Sequence, residues 1–230
     1  FVLFKKNFKN INQLKKLIIE LKDITLNKKS LIFVDQEGGR VQRFNNKEFT
    51  KFPSQNIFGI IFKKNIDKAK RLSYLTSYYI GWEIKRLGVD VNFSPVCDLI
   101  FNDAHKIISD RSFSNNPETA NELVKQYCRG LRDSGVMPVL KHYPGHGRSK
   151  KDTHEDVSVI DTDLEILKKT DLIPFSILKV ESLVMLAHIS FTKIDSTVAT
   201  YSKKINSLLR DYHKFDGLIL TDDIAMKGLQ

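Results

Sequence analysis

The sequence has few of the residues that mark disulfide-bonded or zinc-binding proteins. Its 230 residues include only two cysteines, Cys97 and Cys128, and these form no Cys-x-x-Cys pair. This pattern favours buried thiols in a reducing compartment over a disulfide framework or a cysteine-ligated zinc ion, and it predicts a cytoplasmic protein. No apolar run approaches the ~20 residues of a membrane span, so we expect no membrane insertion. No signal-peptide pattern follows Phe1.

The sequence also lacks a concentrated block of positive charge, although its formal net charge is +10. The 28 lysines and nine arginines are scattered along the chain, singly or in pairs such as Lys5 and Lys6. Scattered lysines are typical of solvated helix faces, whereas nucleic-acid-binding proteins gather them on one surface. We therefore expect no nucleic-acid partner.

What the sequence does contain is a regular alternation of short apolar segments with longer segments of helical periodicity. We predict strands at 1–4, 31–35, 89–95, 136–142, 182–188 and 216–223. We predict helices at 11–24, 67–87, 117–134 and 202–212, helical segments near 161–181, and a long polar loop between 36 and 66. This alternation predicts repeated βα units and a parallel sheet.

Polar residues stand at or just beyond the carboxyl ends of the predicted strands: Asp35, Asn92, Asp98, Lys141, His142, His188, Asp222 and Asp223. In a (β/α)8 barrel these ends meet on the face that holds the active site. An open doubly wound sheet is the alternative, but QEGGR at 36–40 is not its Gly-rich phosphate-binding fingerprint. Because a complete barrel takes ~250 residues, we expect a TIM-like (β/α)8 barrel that is incomplete at both ends.

The stretch KHYPGHGRSKKDTH, residues 141–154, holds three of the six histidines of the chain. Pro144, Gly145 and Gly147 favour a loop. In an extended loop Asp152 and His154 point the same way, so the carboxylate can fix the imidazole tautomer for proton transfer, as a general acid requires.

A metal site is the alternative for this loop. The candidate ligands are His142, His146, Asp152 and His154, a set that would suit zinc in a metal-dependent barrel hydrolase. Pro144 and Gly145 oppose the helical spacing that would aim both upstream histidines at one ion, so we favour proton transfer.

Asp222 and Asp223 end the last apolar strand, where a carboxylate is costly unless it is paired or used. Asp223 suits the cap of a helix beginning near Ile224, which leaves Asp222 to face the barrel mouth. A carboxylate there, combined with an acid on another loop, is the equipment for double-displacement cleavage of a glycoside. Arg40, Arg43 and Arg111 follow neighbouring strands and are candidates for binding sugar hydroxyls.

Five motifs together resemble a known family: VDQEGGRVQRF, NFSPVCDL, DRSFS, KHYPGHG with DTH, and TDDIAMKG. In this order they look like a family 3 glycoside hydrolase of the bacterial β-N-acetylhexosaminidase type, the enzyme of peptidoglycan recycling. The resemblance covers essentially the whole chain. It implies that residues 1–230 form one N-terminal-type barrel domain, a fragment holding barrel strands two to seven.

The resemblance also implies an activity and roles for individual residues. The expected enzyme removes terminal β-linked N-acetylglucosamine from muropeptides with retention of configuration, as a monomer without metal or cofactor. Asp222 would be the nucleophile and His154 the acid/base with Asp152 as its partner. The sugar-binding positions would be Asp35, Arg43, Arg111, Lys141 and His142. A non-catalytic glycan-binding relative is a further alternative, against which the presence of Asp222 and the DTH triplet speaks.

Overall fold

The computed structural model describes residues 1–25, 30–101, 104–150 and 158–229. The strands are β1 (Val2–Leu3), β2 (Phe33–Val34), β3 (Gln36–Gly38), β4 (Val41–Gln42), β5 (Val91–Asn92), β6 (Met137–Pro138), β7 (Leu140–Tyr143), β8 (Ser158–Ile160), β9 (Leu183–Leu186), β10 (Ile189–Phe191), β11 (Asp195–Val198) and β12 (Leu218–Thr221). The α-helices are α1 (Ile11–Asp23), α2 (Asn56–Phe62), α3 (Ile66–Lys85), α4 (Pro117–Asp133), α5 (Leu164–Lys169) and α6 (Lys203–Ser207).

Parallel strands form the centre of the fold. One sheet has the order β1-β2-β5-β6 and a second has the order β12-β9-β7, and every pairing within them is parallel. β6 and β7 follow each other in one predicted strand, and a bridge between Val96 and Lys141 joins the two sheets. Each of the six predicted strand segments is therefore confirmed, and each lies beside the next one in sequence.

This order is TIM-barrel-like, but the ring is open. Within the described part of the chain, β1 pairs only with β2 and β12 only with β9, so the parallel strands do not close on themselves. The structure confirms the α/β class and the parallel strand order and shows no closed barrel.

Three long helices begin where an asparagine caps them. The side chain of Asn10 accepts a hydrogen bond from the third residue of α1, and Asn65 and Asn116 do the same for α3 and α4. An asparagine at this position satisfies a backbone N–H that has no partner inside the helix. These helices lie within two residues of their predicted bounds.

Other parts of the prediction were wrong in detail. The region between 36 and 66 is not only a polar loop, because it holds the β3–β4 hairpin and α2. The helical segments predicted near 161–181 are confirmed as two, since α5 ends at Lys169 and a 3-10 helix spans Ile173–Val180; Pro174 lacks the N–H that one continuous α-helix would need there. A small sheet of order β11-β10-β8 was not predicted.

The two faces of the parallel strands belong to different apolar clusters. Val184 and Leu186 pack in the main core, whereas Leu183 and Met185 join Val91, with other strand residues, in a smaller inner cluster. This alternation along one strand is that of a sheet buried on both faces. In the described ranges no helix has the length and apolar character needed to cross a membrane.

Candidate active site

A buried lysine lies at the centre of the polar cluster beyond these strands. The Nζ atom of Lys141, in β7, donates to Asp35 Oδ1 at 2.8 Å and lies 2.7 Å from Glu37 Oε1. The residues Lys141 and Glu37 are each 2% exposed. Asp35 follows β2 and Glu37 lies in β3, so the parallel pairing of the strands brings the three charges together.

Two arginines complete this cluster. Arg111 donates from Nε and Nη2 to the two oxygens of Glu37 at 2.9 and 2.8 Å, and Arg43 donates from Nη2 to Asp35 Oδ2 at 2.9 Å. Such a two-point pairing fixes the plane of the Arg111 guanidinium. Four of the predicted sugar-binding residues therefore lie in one connected network with Glu37. We call this network the charge cluster: Asp35, Glu37, Arg43, Arg111 and Lys141.

Opposite charges hold the members of the charge cluster in their ionised forms. Burial alone would raise the pKa of Asp35, but Lys141 and Arg43 outweigh it and hold that pKa well below its usual range. Burial likewise opposes the charge of Glu37, and Arg111 and Lys141 lower its pKa. Burial would lower the pKa of Lys141, but the two carboxylates raise it. The donors of Lys141 and Arg111 thus remain cationic at neutral pH.

The predicted residue His142 lies in a second buried group. Its Nδ1 is 2.7 Å from Asp98 Oδ2, and the backbone N–H groups of His142 and His146 donate to Asp98 Oδ1 at 3.2 and 2.6 Å. Burial would raise the pKa of Asp98, yet His142 and His146 lower it. Because Asp98 engages Nδ1, the Nε2 atom of His142 is the ring nitrogen left for another partner.

Burial has the opposite consequence for the second histidine of this group. It lowers the pKa of His146 to about 4, with the nearby His142 acting in the same direction. The His146 ring is therefore neutral at physiological pH, and His146 acts on Asp98 there through the hydrogen bond of its backbone N–H.

Asp222 lies just beyond the carboxyl end of β12 and is half-buried. Its Oδ1 accepts a hydrogen bond from the backbone N–H of Asp223 at 2.9 Å. Burial would raise the pKa of Asp222, but His142, this N–H group and Lys141 lower it, so Asp222 is ionised at neutral pH. The exposed Asp223 accepts from Ala225 N at 2.9 Å. The helix expected to begin near Ile224 is instead a turn followed by a 3-10 helix at Lys227–Leu229, so Asp223 stabilises a turn and caps no helix at that position.

Sequence reasoning missed Glu37 as a member of the site, and it placed Asp98 on the site face without giving it a role. Both are fully buried carboxylates whose partners stand 74 and 44 residues away along the chain, so no local pattern indicates the pairing. Asp98 stands between apolar neighbours, where an unpaired carboxylate is costly, and this signals a role for it. Glu37 stands in the polar stretch QEGGR and gives no such signal. Asp152 and His154, the predicted acid/base pair, lie outside the described residues.

The predicted zinc alternative cannot be built from the described part of the chain, where no group of three or more His, Cys, Asp or Glu side chains is arranged to hold a metal ion. Two of its four candidate ligands, Asp152 and His154, lie outside that part. The other two, His142 and His146, have ring centroids 5.5 Å apart, and His142 already engages Asp98 through Nδ1.

Taken together, the described groups offer fixed cationic donors beside an ionised, half-buried carboxylate. Lys141 and Arg111 can donate charge-assisted hydrogen bonds, and Asp35 can accept them, which suits a small ligand with several hydroxyl groups. Asp222 can act as a nucleophile because its negative charge is retained close to these donors.

Comparison with known proteins identifies the family. The profile of the glycosyl hydrolase family 3 N-terminal domain matches residues 1–230. The chain belongs to this family. The assignment confirms the family that the five sequence motifs predicted.

Relatives of this family 3 chain are longer than it is. A β-hexosaminidase of Hydrogenovibrio crunogenus is 36% identical over 228 residues, which cover 98% of this chain and 63% of that protein. The structure of NagZ from Neisseria gonorrhoeae in complex with N-trifluoroacetyl-D-glucosamine matches with a TM-score of 0.93 and 35% identity, over 99% of this chain and 66% of that one. A NagZ structure from the same species, in complex with a zinc ion, matches with a TM-score of 0.91 and 34% identity over 98% of this chain and 66% of that one. The chain thus spans less than two thirds of the length of these relatives.

Proposed function

We propose that this family 3 protein is a retaining exo-β-N-acetylglucosaminidase. The observation that carries the proposal is the ionised Asp222 carboxylate beyond β12, in the electrostatic field of His142 and Lys141. Its support from the comparisons is the β-hexosaminidase of H. crunogenus and the N. gonorrhoeae NagZ that binds an N-acetylglucosamine analogue.

In the proposed mechanism Asp222 attacks the anomeric carbon of the terminal sugar. A bond forms between that carbon and Asp222 while the bond to the leaving oxygen breaks, and His154, held by Asp152, gives that oxygen a proton. His154 then takes a proton from water, whose oxygen displaces Asp222 and restores the original β configuration. The sugar hydroxyls are bound meanwhile by Asp35, Arg43, Arg111, Lys141 and His142.

The proposal extends to the wider setting of the reaction. The substrates are peptidoglycan fragments that end in β-linked N-acetylglucosamine, the protein acts in the cytoplasm as a monomer, and no metal or cofactor takes part. We also propose that residues 1–230 form one barrel domain in which the described strands occupy positions two to seven. Among the described residues β1 pairs only with β2 and β12 only with β9, which supports this assignment.

One assay tests the activity and its main alternative together. The native full-length protein should release p-nitrophenol from the β-N-acetylglucosaminide much faster than from the β-glucoside, which lacks only the acetamido group. Activity should survive dialysis against EDTA. Loss of activity on chelation and its recovery with zinc would instead favour the metal-dependent hydrolase, and no turnover of either glycoside would favour a glycan-binding role.

A further inference from the structure

His188 lies beside Asp222 and has no role in the mechanism described above. It follows β9, two residues beyond Leu186, which pairs with Thr221 at the end of β12. The parallel register therefore places His188 opposite Asp223. The histidine is 1% exposed, although it is a polar residue at the site face.

The hydrogen bonds of the His188 ring require a proton on Nε2. Nε2 lies 3.1 Å from the backbone oxygen of Asp223, and Nδ1 lies 2.7 Å from Thr200 Oγ1. Because a carbonyl oxygen can only accept, Nε2 must carry a proton to make the first bond. The hydroxyl of Thr200 can donate to Nδ1, or it can donate to Ala187 O at 3.2 Å and accept from a protonated Nδ1.

The Asp223 carbonyl belongs to the turn that sets the Asp222 carboxylate. That carbonyl also accepts from Met226 N at 3.0 Å, while the N–H of Asp223 donates to Asp222 Oδ1. His188 therefore contacts one end of the residue whose other end contacts the proposed nucleophile. A buried side chain fixed by Thr200 on the far side is well suited to hold this turn in one place.

We propose that His188 is a positioning residue for Asp222: by donating from Nε2 to the Asp223 carbonyl, it fixes the turn whose N–H orients the Asp222 carboxylate towards the anomeric carbon. The inference rests on the proposed function, since it concerns the same reaction. Small displacements of a reacting group can cost on the order of 100-fold in rate, so the effect should appear in kcat. KM should change little, because the charge cluster that would bind the sugar makes no hydrogen bond to His188 among the described residues.

Two substitutions test whether His188 acts through the hydrogen bond of Nε2 or only by filling space with its side chain. In His188→Gln the amide nitrogen can reach the position of Nε2 and donate to Asp223, whereas in His188→Asn the amide can reach only the position of Nδ1 beside Thr200. Both remain polar and smaller than imidazole. For the full-length protein we expect His188→Asn to lower kcat about 10- to 100-fold with KM within a few-fold of wild type. His188→Gln should recover most of kcat.

The same assay distinguishes failure of the proposed function from failure of the positioning role of His188. A wild-type protein that does not hydrolyse the β-N-acetylglucosaminide overturns the proposed function and this inference with it. An active wild type overturns the inference alone if His188→Asn keeps full kcat, or if the Gln and Asn variants lose kcat equally. Imidazole ¹⁵N chemical shifts of the wild type provide a readout that does not depend on how the variants fold: a protonated Nε2 supports the inference, and an unprotonated Nε2 overturns it.

Discussion

At the scale of single residues, the site is built from buried charges that hold one another ionised. Lys141 and Glu37 lie away from water. Glu37 keeps its charge because Arg111 and Lys141 pair with it, and Lys141 keeps its charge because Asp35 and Glu37 pair with it. Breaking a buried pair is costly because it leaves one charge without compensation. The charge cluster should therefore contribute to stability as well as to binding.

Replacing Glu37 with glutamine tests this contribution. Glu37→Gln removes the negative charge between Arg111 and Lys141 and should lower the free energy of unfolding by about 3 kcal/mol in urea denaturation. The matched control is Glu122→Gln, which removes a partly exposed carboxylate paired with Lys70 and Lys125. That change should cost about 1 kcal/mol or less, and equal losses in the two variants would contradict the account of the cluster.

His213 gives a prediction about pH. It is buried against the rings of Tyr143 and Tyr212, and burial lowers its pKa to about 4. The unfolded chain takes up this proton near pH 6.5 and the folded chain only near 4. Stability is therefore lost as pH falls from 6.5 to 4 and rises with pH in this window.

The substitution His213→Phe keeps a ring in the pocket and removes the titration. Between pH 7 and 4.5 the free energy of unfolding of the wild type should fall by about 2 kcal/mol more than that of the variant. Chemical denaturation at the two pH values measures this difference. If the free energy of unfolding falls equally in the two proteins over this pH range, the lowered pKa of His213 is contradicted.

At the scale of elements, the close packing of α3 on α4 depends on small residues. A Cβ atom added at Gly130 of α4 would overlap the backbone oxygen of Tyr74 and lie 2.9 Å from Tyr78 N. A Cβ atom added at Gly81 of α3 would instead meet the side chain of Ser134. The first clash is with backbone and the second with a side chain that can be shortened.

This difference predicts which substitution can be rescued. Gly130→Ala should lower the free energy of unfolding by about 1–3 kcal/mol despite the better helix propensity of alanine. Gly81→Ala should also destabilise, but the double variant Gly81→Ala with Ser134→Gly should recover most of that loss. A Gly130→Ala protein as stable as the wild type would show that the helices can separate at no cost.

Sequence patterns predicted the elements that have strong periodicity and missed those that depend on distant contacts. The strands beyond which Asp35 and Asp222 lie were predicted because apolar β-branched runs precede them, and α4 was predicted from its helical periodicity. The α2 helix was missed because its short apolar run NIFGIIF has no helical alternation of polar residues. It packs against α3 and α4, contacts that no local pattern shows.

The residues of the candidate site also divide into those that local patterns predict and those that depend on distant contacts. Asp35, Arg43, Arg111 and Lys141 were named from their places after strands and from family motifs, and the structure brings them together. The pairing of Glu37 with Arg111 was not foreseen, since it joins residues from separate βα units. Only the three-dimensional arrangement of the strands shows which carboxylate meets which cation.

At the scale of the whole molecule, the fold gathers groups from several βα units on one face. Asp35 and Glu37 come from one segment of the chain, and Asp98, Lys141 and Asp222 from three others. The parallel strand order brings the carboxyl ends of these strands to the same side. This arrangement is how barrel-like α/β folds assemble active sites. The central claim is that Asp222, among the carboxylates of this face, forms the bond to the sugar.

Trapping the intermediate tests this claim most directly. A 5-fluoro N-acetylglucosaminyl substrate with a good leaving group should react with the full-length protein and leave one covalent sugar, which peptide mass mapping should place on Asp222. The variant Asp222→Ala should form no adduct and hydrolyse no substrate. An adduct on Asp223 or another carboxylate, or wild-type turnover by Asp222→Ala, would contradict the account.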